Sequence, residues 1–267
     1  MLSTHARYAA HTAAACGYGF RSLDGADGYL FEVSDGARRA LFCCGAGTPY
    51  AFNNAAAAAL ARDKAFCAEA LRLAGVSVLP GRMFFVTERW AELRSPGREP
   101  ADARAFAAAA DYPLFCKPNS GSSGAFAELI ESAEAFGDYM HRVSQDHYAI
   151  LAQPYVAAPE YRAIVLDGRV LCSYRKHPAK AGAPANRSAG GHAGDLRDGA
   201  PAALEQIALK AAEVIRLGLA AIDVFDRDGA LVVIEVNSNP MLRTLEDHGR
   251  WDLIETIWRA NFAAALR

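Results

Sequence analysis

Short β-like runs and longer helical stretches alternate along this chain. Residues 28–33 and 38–44 are apolar runs around Ser34-Asp35-Gly36-Ala37, which predicts a β-hairpin near the start. Residues 54–74 are rich in Ala and Leu with Arg62, Asp63, Lys64 and Glu69 interspersed, a helical composition that Gly75 is placed to end. Residues 76–86 return to β-like composition. The charged stretch 90–100, with its prolines and glycine, predicts an exposed connection, and 102–110 a short helix. Residues 113–117 read as a buried strand entering the small-residue loop Pro118-Asn119-Ser120-Gly121-Ser122-Ser123-Gly124, and apolar alternation resumes at Ala125.

A helix capped by Ser132 is expected to about Val143. Strands follow over 148–153, 161–166 and 169–174, the last two joined by Asp167-Gly168, a type I′ hairpin signal. Residues 178–201, rich in Gly, Ala, Pro and Ser, are too long for a simple connection and read as a disordered segment or a functional lid. A helix over 204–217 and a hairpin of 220–225 with 231–236 complete the pattern, and no internal repeat is apparent.

Composition sets the class. The 267 residues are 52% hydrophobic and 22% charged with a formal net charge of -2, which describes a globular chain able to bury a full core. Near-neutral charge gives no footprint for nucleic acid or an acidic membrane surface, so small molecules or peptides are the expected partners. The six cysteines form no CxxC pair, and several lie in apolar runs, which predicts buried, reduced thiols. His5, Arg7 and His11 interrupt the Ala-rich start, and no stretch approaches bilayer length. A cytoplasmic enzyme is therefore the expectation.

Asp223 and Glu235 stand out because each falls inside an apolar strand, with Asn237 two residues beyond Glu235 on the same side. Taken alone, two such acids read more readily as salt bridges at a sheet edge. Two carboxylates and a carboxamide oxygen facing one point would instead offer hard oxygen ligands to Mg²⁺. The strings Ala221-Ile222-Asp223-Val224 and Ile234-Glu235-Val236-Asn237-Ser238-Asn239-Pro240 closely resemble the magnesium-binding core of the ATP-grasp family, which includes D-alanine:D-alanine ligase, glutathione synthetase and ribosomal-protein glutamate ligases.

The resemblance extends to Pro113-Leu114-Phe115-Cys116-Lys117-Pro118, where the family has a strand lysine before a loop that folds over the nucleotide phosphates. It implies that Lys117 and the backbone of Ser120, Gly121, Ser122, Ser123 and Gly124 hold phosphate oxygens. It also implies that Lys64 is the family's earlier ATP-binding lysine. Gln153, Tyr155 and Val156 then fall on the adenine-binding hinge and Glu160 at the ribose, with Gln153 where many relatives have Glu. Alternation would put Arg175 and Lys176 on opposite faces, so that one faces the site. Arg175 matches a phosphate-stabilising cation and Lys176 is expected to contribute to nucleotide binding. Arg187, on the long loop, is implied to present a cation to an acyl phosphate. Ala221 stands where D-alanine:D-alanine ligases carry an arginine. His177, His192 and His248 fit no metal signature by their spacing.

The fold this implies is α+β, the ATP-grasp fold, with two α+β lobes whose antiparallel sheets enclose ATP. Residues 1–52 form a short N-terminal hairpin region in place of the family's larger substrate domain. The ATP-grasp part is 53–267, comprising a linking helix and strand (53–110), a nucleotide-binding lobe (111–156) and a Mg-binding lobe (157–267). The implied activity is ATP-dependent ligation of a small-molecule or peptide carboxylate to an amine through an acyl phosphate, with Mg²⁺ or Mn²⁺ held by Asp223, Glu235 and Asn237, and with a homodimer admissible. A small-molecule kinase or a nucleotide-binding module without turnover are the alternatives.

Overall fold

The computed structural model describes residues 1–45, 47–121, 124–180 and 182–267. The Ala-rich start is an α-helix, α1 (Thr4–Cys16). The Ser3 hydroxyl accepts from the Ala6 N–H at its first turn, and Gly17, at φ 71°, ends it in the left-handed region that glycine tolerates. A three-stranded antiparallel meander follows: β1 (Gly19–Ser22), β2 (Leu30–Ser34) and β3 (Arg39–Cys43). The expected hairpin is β2 with β3, and helix and first strand are additions to it. Phe31, Val33, Ala40 and Phe42 alternate inward while Leu41 and Cys43 face out.

The helix expected over 54–74 is two helices, α2 (Ala55–Arg62) and α3 (Lys64–Leu73). Asp63 breaks the run at ψ 98° and its carboxylate accepts from the Phe66 N–H, capping α3 and setting Lys64 in its first turn. Strand β4 (Arg82–Phe85), helix α4 (Pro100–Ala108), strands β5 (Leu114–Pro118) and β6 (Glu128–Ile130), helix α5 (Ala133–Val143) and strand β7 (Ala149–Pro154) build the next unit. Its antiparallel sheet has the order β4-β7-β5-β6. Leu114, Cys116 and Ile150 of that sheet pack on Ala103 and Ala107 of α4 and Phe136 and Tyr139 of α5. Ser132 caps α5 as expected, accepting from the Ala135 N–H.

The remaining elements are β8 (Glu160–Leu166), β9 (Arg169–His177), β10 (His192–Asp198), α6 (Ala202–Ile215), β11 (Leu219–Arg227), β12 (Ala230–Asn237), α7 (Arg243–Asp247) and α8 (Trp251–Ala265). Five strands form an antiparallel sheet of order β10-β9-β8-β11-β12. Both turn residues of the β8–β9 hairpin, Asp167 and Gly168, have positive φ, as a type I′ turn requires. The stretch read as one long loop contains a 3-10 turn (Arg187–Ala189) and the edge strand β10. Its register shifts between Gly194 and Arg197, and this irregularity, with the Gly-rich composition, conceals a strand from periodicity.

One face of the five-stranded sheet, carrying Ala163, Val165, Ala220 and Ile222, packs on α2, α3 and α6. The other, carrying Ile164, Leu166, Cys172 and Leu219, joins the core of α1, the meander and Trp258 of α8. Residues 1–52 thus share a core with the sheet that bears Asp223. Cys67, Cys116 and Cys172 are buried, and burial pushes each thiol up to about 12. Cys43, in contrast, is exposed on the outer face of the meander, and Cys16 and Cys44 are only partly covered, contrary to the expectation of buried thiols. No helix among the described residues is long and apolar enough to cross a membrane.

Candidate active site

Strand β5 delivers Lys117 buried, opposite Leu151 of β7. Asn119, next but one, ties three elements together. Its N–H donates to the Ala149 carbonyl (2.9 Å), its carbonyl accepts from the Lys64 N–H (3.0 Å), and its Oδ1 accepts from the Ala65 N–H (2.9 Å). The start of α3 is thereby docked on the small-residue loop, and Lys64 Nζ donates to the Gly121 carbonyl at 2.6 Å. Both ammonium groups reach Glu235, Lys64 at 3.8 Å and Lys117 at 3.7 Å. Burial lowers the Lys117 pKa against the attraction of Glu235.

The five-stranded sheet supplies the opposing charges. Register places Asp223 opposite both Glu235 on β12 and Arg162 on β8, and Glu160 opposite Lys176 on β9. Arg162 clamps Asp223 through Nε and Nη2 at 2.5 and 2.6 Å, and Lys176 Nζ donates to the same carboxylate at 3.1 Å. Lys176 also donates to Glu160 and, at 3.3 Å, to Asn186. Burial would raise the Asp223 pKa, but Arg162 and Lys176 outweigh it and hold the carboxyl at about 2. Burial likewise opposes ionisation of Glu235, and Lys64 and Lys117 reverse the effect. Burial raises the Glu160 pKa despite Lys176.

These groups wall a cavity of about 420 Å³ between the two sheets. Lys64, Lys117, Gly121, Gly124, Asp223 and Glu235 line one part of it, and Gln153, Tyr155, Val156 and Glu160 another. Arg175 and Lys176 both line it, although alternation sets them on opposite faces, because the cavity follows the chain through consecutive residues from Arg175 to Pro178. Arg175 Nε is buried and, among the described residues, has no hydrogen-bond partner. The Gln153 amide nitrogen donates to the Leu79 carbonyl (3.2 Å), leaving its oxygen as the acceptor, and the Tyr155 N–H is taken by the Pro113 carbonyl (3.2 Å). Ser120 is exposed and does not line the cavity, and Ser122 and Ser123 lie outside the described residues.

A second cavity, of about 660 Å³, meets the first at Lys176, Asn186 and Glu235. Asn237 lines this one rather than the first, and its buried Nδ2 has no hydrogen-bond partner among the described residues. Arg187 also lines it, paired with Asp247 at 2.6 Å. Among the described residues no group of three or more His, Cys, Asp or Glu side chains is placed to hold a metal ion. Asp223, Glu235 and the Asn237 carboxamide nevertheless project from one face of adjacent strands, an oxygen donor set of the kind hard cations take.

A family model for the RimK-like ATP-grasp domain matches residues 94–260, more than half of the chain. This protein belongs to that family. Among curated relatives, a probable alpha-L-glutamate ligase of Mannheimia succiniciproducens is 26% identical over 197 residues, covering 73% of this chain and 61% of the relative. A D-alanine--D-alanine ligase structure from Bacillus anthracis superposes with TM-score 0.58 at 17% identity, covering 78% of this chain and 69% of that one. The ATP-grasp ligase PsnB, solved with precursor peptide PsnA2 and AMPPNP, superposes with TM-score 0.54 at 20% identity, covering 80% and 61%. The chain spans 30% to 64% of the length of the curated relatives it matches.

Three residues of this ATP-grasp domain escape a reading from sequence. Asn119 sits inside the small-residue loop and carries no pattern of its own. Arg162 is visible as a strand cation, but its pairing with Asp223 depends on the β8–β11 register. Asn186 lies in the long irregular segment and reaches both cavities. A side chain at Gly124 would meet Asn186 Nδ2 at 2.7 Å, so the small-residue loop and the segment after β9 touch at that point.

Proposed function

We propose that this chain is an ATP-dependent carboxylate–amine ligase. The single observation that carries the reading is the charge pattern of the first cavity. Lys64, Lys117, Arg175 and Lys176 converge there with Asp223 and Glu235, beside a wall of Gln153, Tyr155 and Val156 suited to a planar base. Lys64 and Lys117 bind phosphate oxygens with the loop backbone at Gly121 and Gly124, and Glu160 holds the ribose. The Val156 N–H and the Gln153 oxygen meet the adenine edge. Arg175, whose buried Nε has no partner among the described residues, stabilises charge on the transferred phosphoryl group.

The oxygen donors of Asp223, Glu235 and Asn237 are of the kind that Mg²⁺ or Mn²⁺ takes, and these three residues would hold the metal. When bound, the metal neutralises phosphate charge. The substrate carboxylate oxygen attacks the γ-phosphorus and the bond to the bridging oxygen of ADP breaks. The amine nitrogen then attacks the acyl carbon, the carbon–oxygen bond to phosphate breaks, and the amine proton leaves with the phosphate. Lys176 and Asn186, at the junction of the cavities, orient the carboxylate, and Pro178, Ala183, Pro184 and Ala185 of the first cavity's wall exclude water from the acyl phosphate. The carboxylate and amine come from small molecules or peptides. A cytoplasmic location, where ATP is supplied and exposed thiols such as Cys43 stay reduced, fits this activity.

The test is a matrix of amino acids and short peptides assayed for ADP release with Mg²⁺, followed by mass analysis of the products. Amine-dependent ADP release with an amide product is expected, lost in Glu235→Ala and weakened at the level of ATP binding in Lys117→Ala. ADP release that needs no amine and yields a phosphorylated product would replace the ligase by a kinase.

A further inference from the structure

The ladder between β9 and β10 ends on a pair of histidines. His177 closes β9 and His192 opens β10, and the two stand opposite each other in register. Their rings are stacked, with centroids 4.9 Å apart and planes at 14°. The rings belong to different walls, since His177 lines the first cavity and His192 the second. Lys176, one residue before His177, lines both cavities, and its cross-strand partner Ala193 is the residue after His192. The stack therefore stands beside the junction of the cavities. Gly194 leaves room for it, because an added Cβ there would lie 3.0 Å from His177 Nε2.

Ligation needs a proton acceptor near this junction. The amine of an amino acid or peptide arrives at neutral pH as an ammonium, and it has no lone pair for the acyl carbon until one proton is removed. Among the described residues the second cavity is lined by two carboxylates, Glu235 and Asp247, and two imidazoles, His192 and His248. Glu235 faces Lys64 and Lys117 and is one of the proposed metal donors. Both oxygens of Asp247 are taken by Arg187, at 2.6 and 3.1 Å. His248 is bound through Nδ1 to the Thr244 carbonyl at 2.8 Å, at the end of α7 and away from the strands that meet at the junction. That leaves His192. Among the described residues neither of its ring nitrogens has a hydrogen-bond partner, and the side chain is exposed, so a proton taken up there can pass to solvent.

We propose that His192 is the catalytic base of the ligation, removing a proton from the ammonium of the amine-bearing substrate, and that His177 is its positioning residue. The proposal rests on the ligase reading above. One ammonium N–H bond breaks and an N–H bond forms on the His192 imidazole. The freed lone pair attacks the acyl carbon, the carbon–oxygen bond to phosphate breaks, and the second amine proton leaves with the phosphate. The imidazolium then returns its proton to water. Imidazole suits the step because its ordinary titration lies nearest neutral pH, and the face of the stacked His177 ring stabilises the cation while it lasts.

The test separates acceptors by their basicity. The chain is incubated with Mg²⁺, ATP and a panel of amino acids and dipeptides as carboxylates, with either hydroxylamine or a second amino acid as the amine. Hydroxylamine is largely uncharged at neutral pH, so it traps an acyl phosphate as a hydroxamate without help from a base. The wild type is expected to form hydroxamate and amide. His192→Ala and His192→Gln lower kcat/KM for the amino-acid acceptor about 100-fold and leave hydroxamate formation within about twofold, and free imidazole recovers about tenfold of the amide rate in His192→Ala. His177→Phe, which keeps a ring against His192, is milder than His177→Ala. Melting temperatures check that the variants fold. An equal loss with both acceptors, the result for a pair that only closes the β9–β10 ladder, overturns the proposal. So does an amide rate unchanged in His192→Ala, or an acceptor-selective loss in His248→Ala instead. Hydroxamate with no amide from any ammonium-bearing acceptor overturns the base and leaves the ligase reading standing, whereas no hydroxamate from any carboxylate fails the ligase reading and the proposal with it.

Discussion

Arg162 and Asp223 face each other across β8 and β11 as a two-point pair, with the guanidinium Nε and Nη2 at 2.5 and 2.6 Å from the two carboxylate oxygens. Asp223 is buried, and Lys176 approaches the same carboxylate from β9. A strand carboxylate is thus kept ionised in the interior by two neighbours, not by solvent. Both of its oxygens are engaged, so any metal ion that reaches Asp223 must share it with these cations or displace one of them.

Arg162→Ala leaves a buried carboxylate with Lys176 as its one remaining close cation. We expect a loss of about 3 kcal/mol in unfolding free energy, at the low end for breaking a buried pair because Lys176 persists. Urea denaturation at pH 7 measures it. Arg162→Ala combined with Asp223→Ala should recover part of the loss, since the unpaired charge is gone. A single variant with unchanged midpoint would contradict the pairing.

Asp223, Glu235 and Asn237 were legible through the resemblance of their strings to the ATP-grasp core, since two acids on apolar strands taken alone read more readily as salt bridges. Ser132 and Asp167-Gly168 announced their cap and turn by local chemistry alone. Less could be read where tertiary contacts decide. Asp63 looks like one more charge on a long helix until its carboxylate is seen capping α3, and that break is what places Lys64 beside Gly121. Strand β10 is a strand by virtue of its pairing with β9, since Gly-rich composition and a register shift erase its alternation. Arg175 and Lys176 follow alternation in register, yet both reach the cavity, because a cavity wall need not follow one face of a sheet.

Asn119 is a positioning residue that does its work through Lys64. Asn119→Ala removes the acceptor of the Ala65 N–H at the first turn of α3, which costs about 1 kcal/mol as for other lost helix-end contacts. The lysine then loses its fixed approach to Gly121. The KM for ATP should rise several-fold with a smaller change in kcat, and Asn119→Asp, which keeps an acceptor, should restore it. Steady-state kinetics with varied ATP would expose a purely structural role as a drop in melting temperature with KM unmoved.

Gly124 is confined by both its backbone and its surroundings. It sits at φ 71°, and an added Cβ would lie 2.7 Å from Asn186 Nδ2. Gly124→Ala therefore incurs left-handed strain of about 1 kcal/mol and pushes Asn186 away from Lys176. Nucleotide affinity measured by calorimetry should fall about tenfold, the equivalent of about 1.4 kcal/mol. Adding Asn186→Ala should relieve the clash but not the backbone strain, so the double variant is expected to stay weaker than wild type in melting temperature.

His5 makes the acid side of the stability profile predictable. Burial among Tyr50, Trp258 and Asn239 lowers its pKa from 6.5 to about 4. The unfolded chain therefore takes up a proton at a higher pH than the folded one. The contribution of neutral His5 is complete above pH 6.5 and falls as pH drops toward 4, at no more than about 1.4 kcal/mol per pH unit, and it stays lost below that. His5→Gln keeps a side chain able to donate to Asn239 but cannot titrate. The wild-type stability minus that of His5→Gln should decline between pH 6.5 and 4 and be flat above pH 7. Thermal melts across that range decide the matter, and a difference that does not vary with pH would mean that His5 is protonated in the folded chain or exposed to solvent.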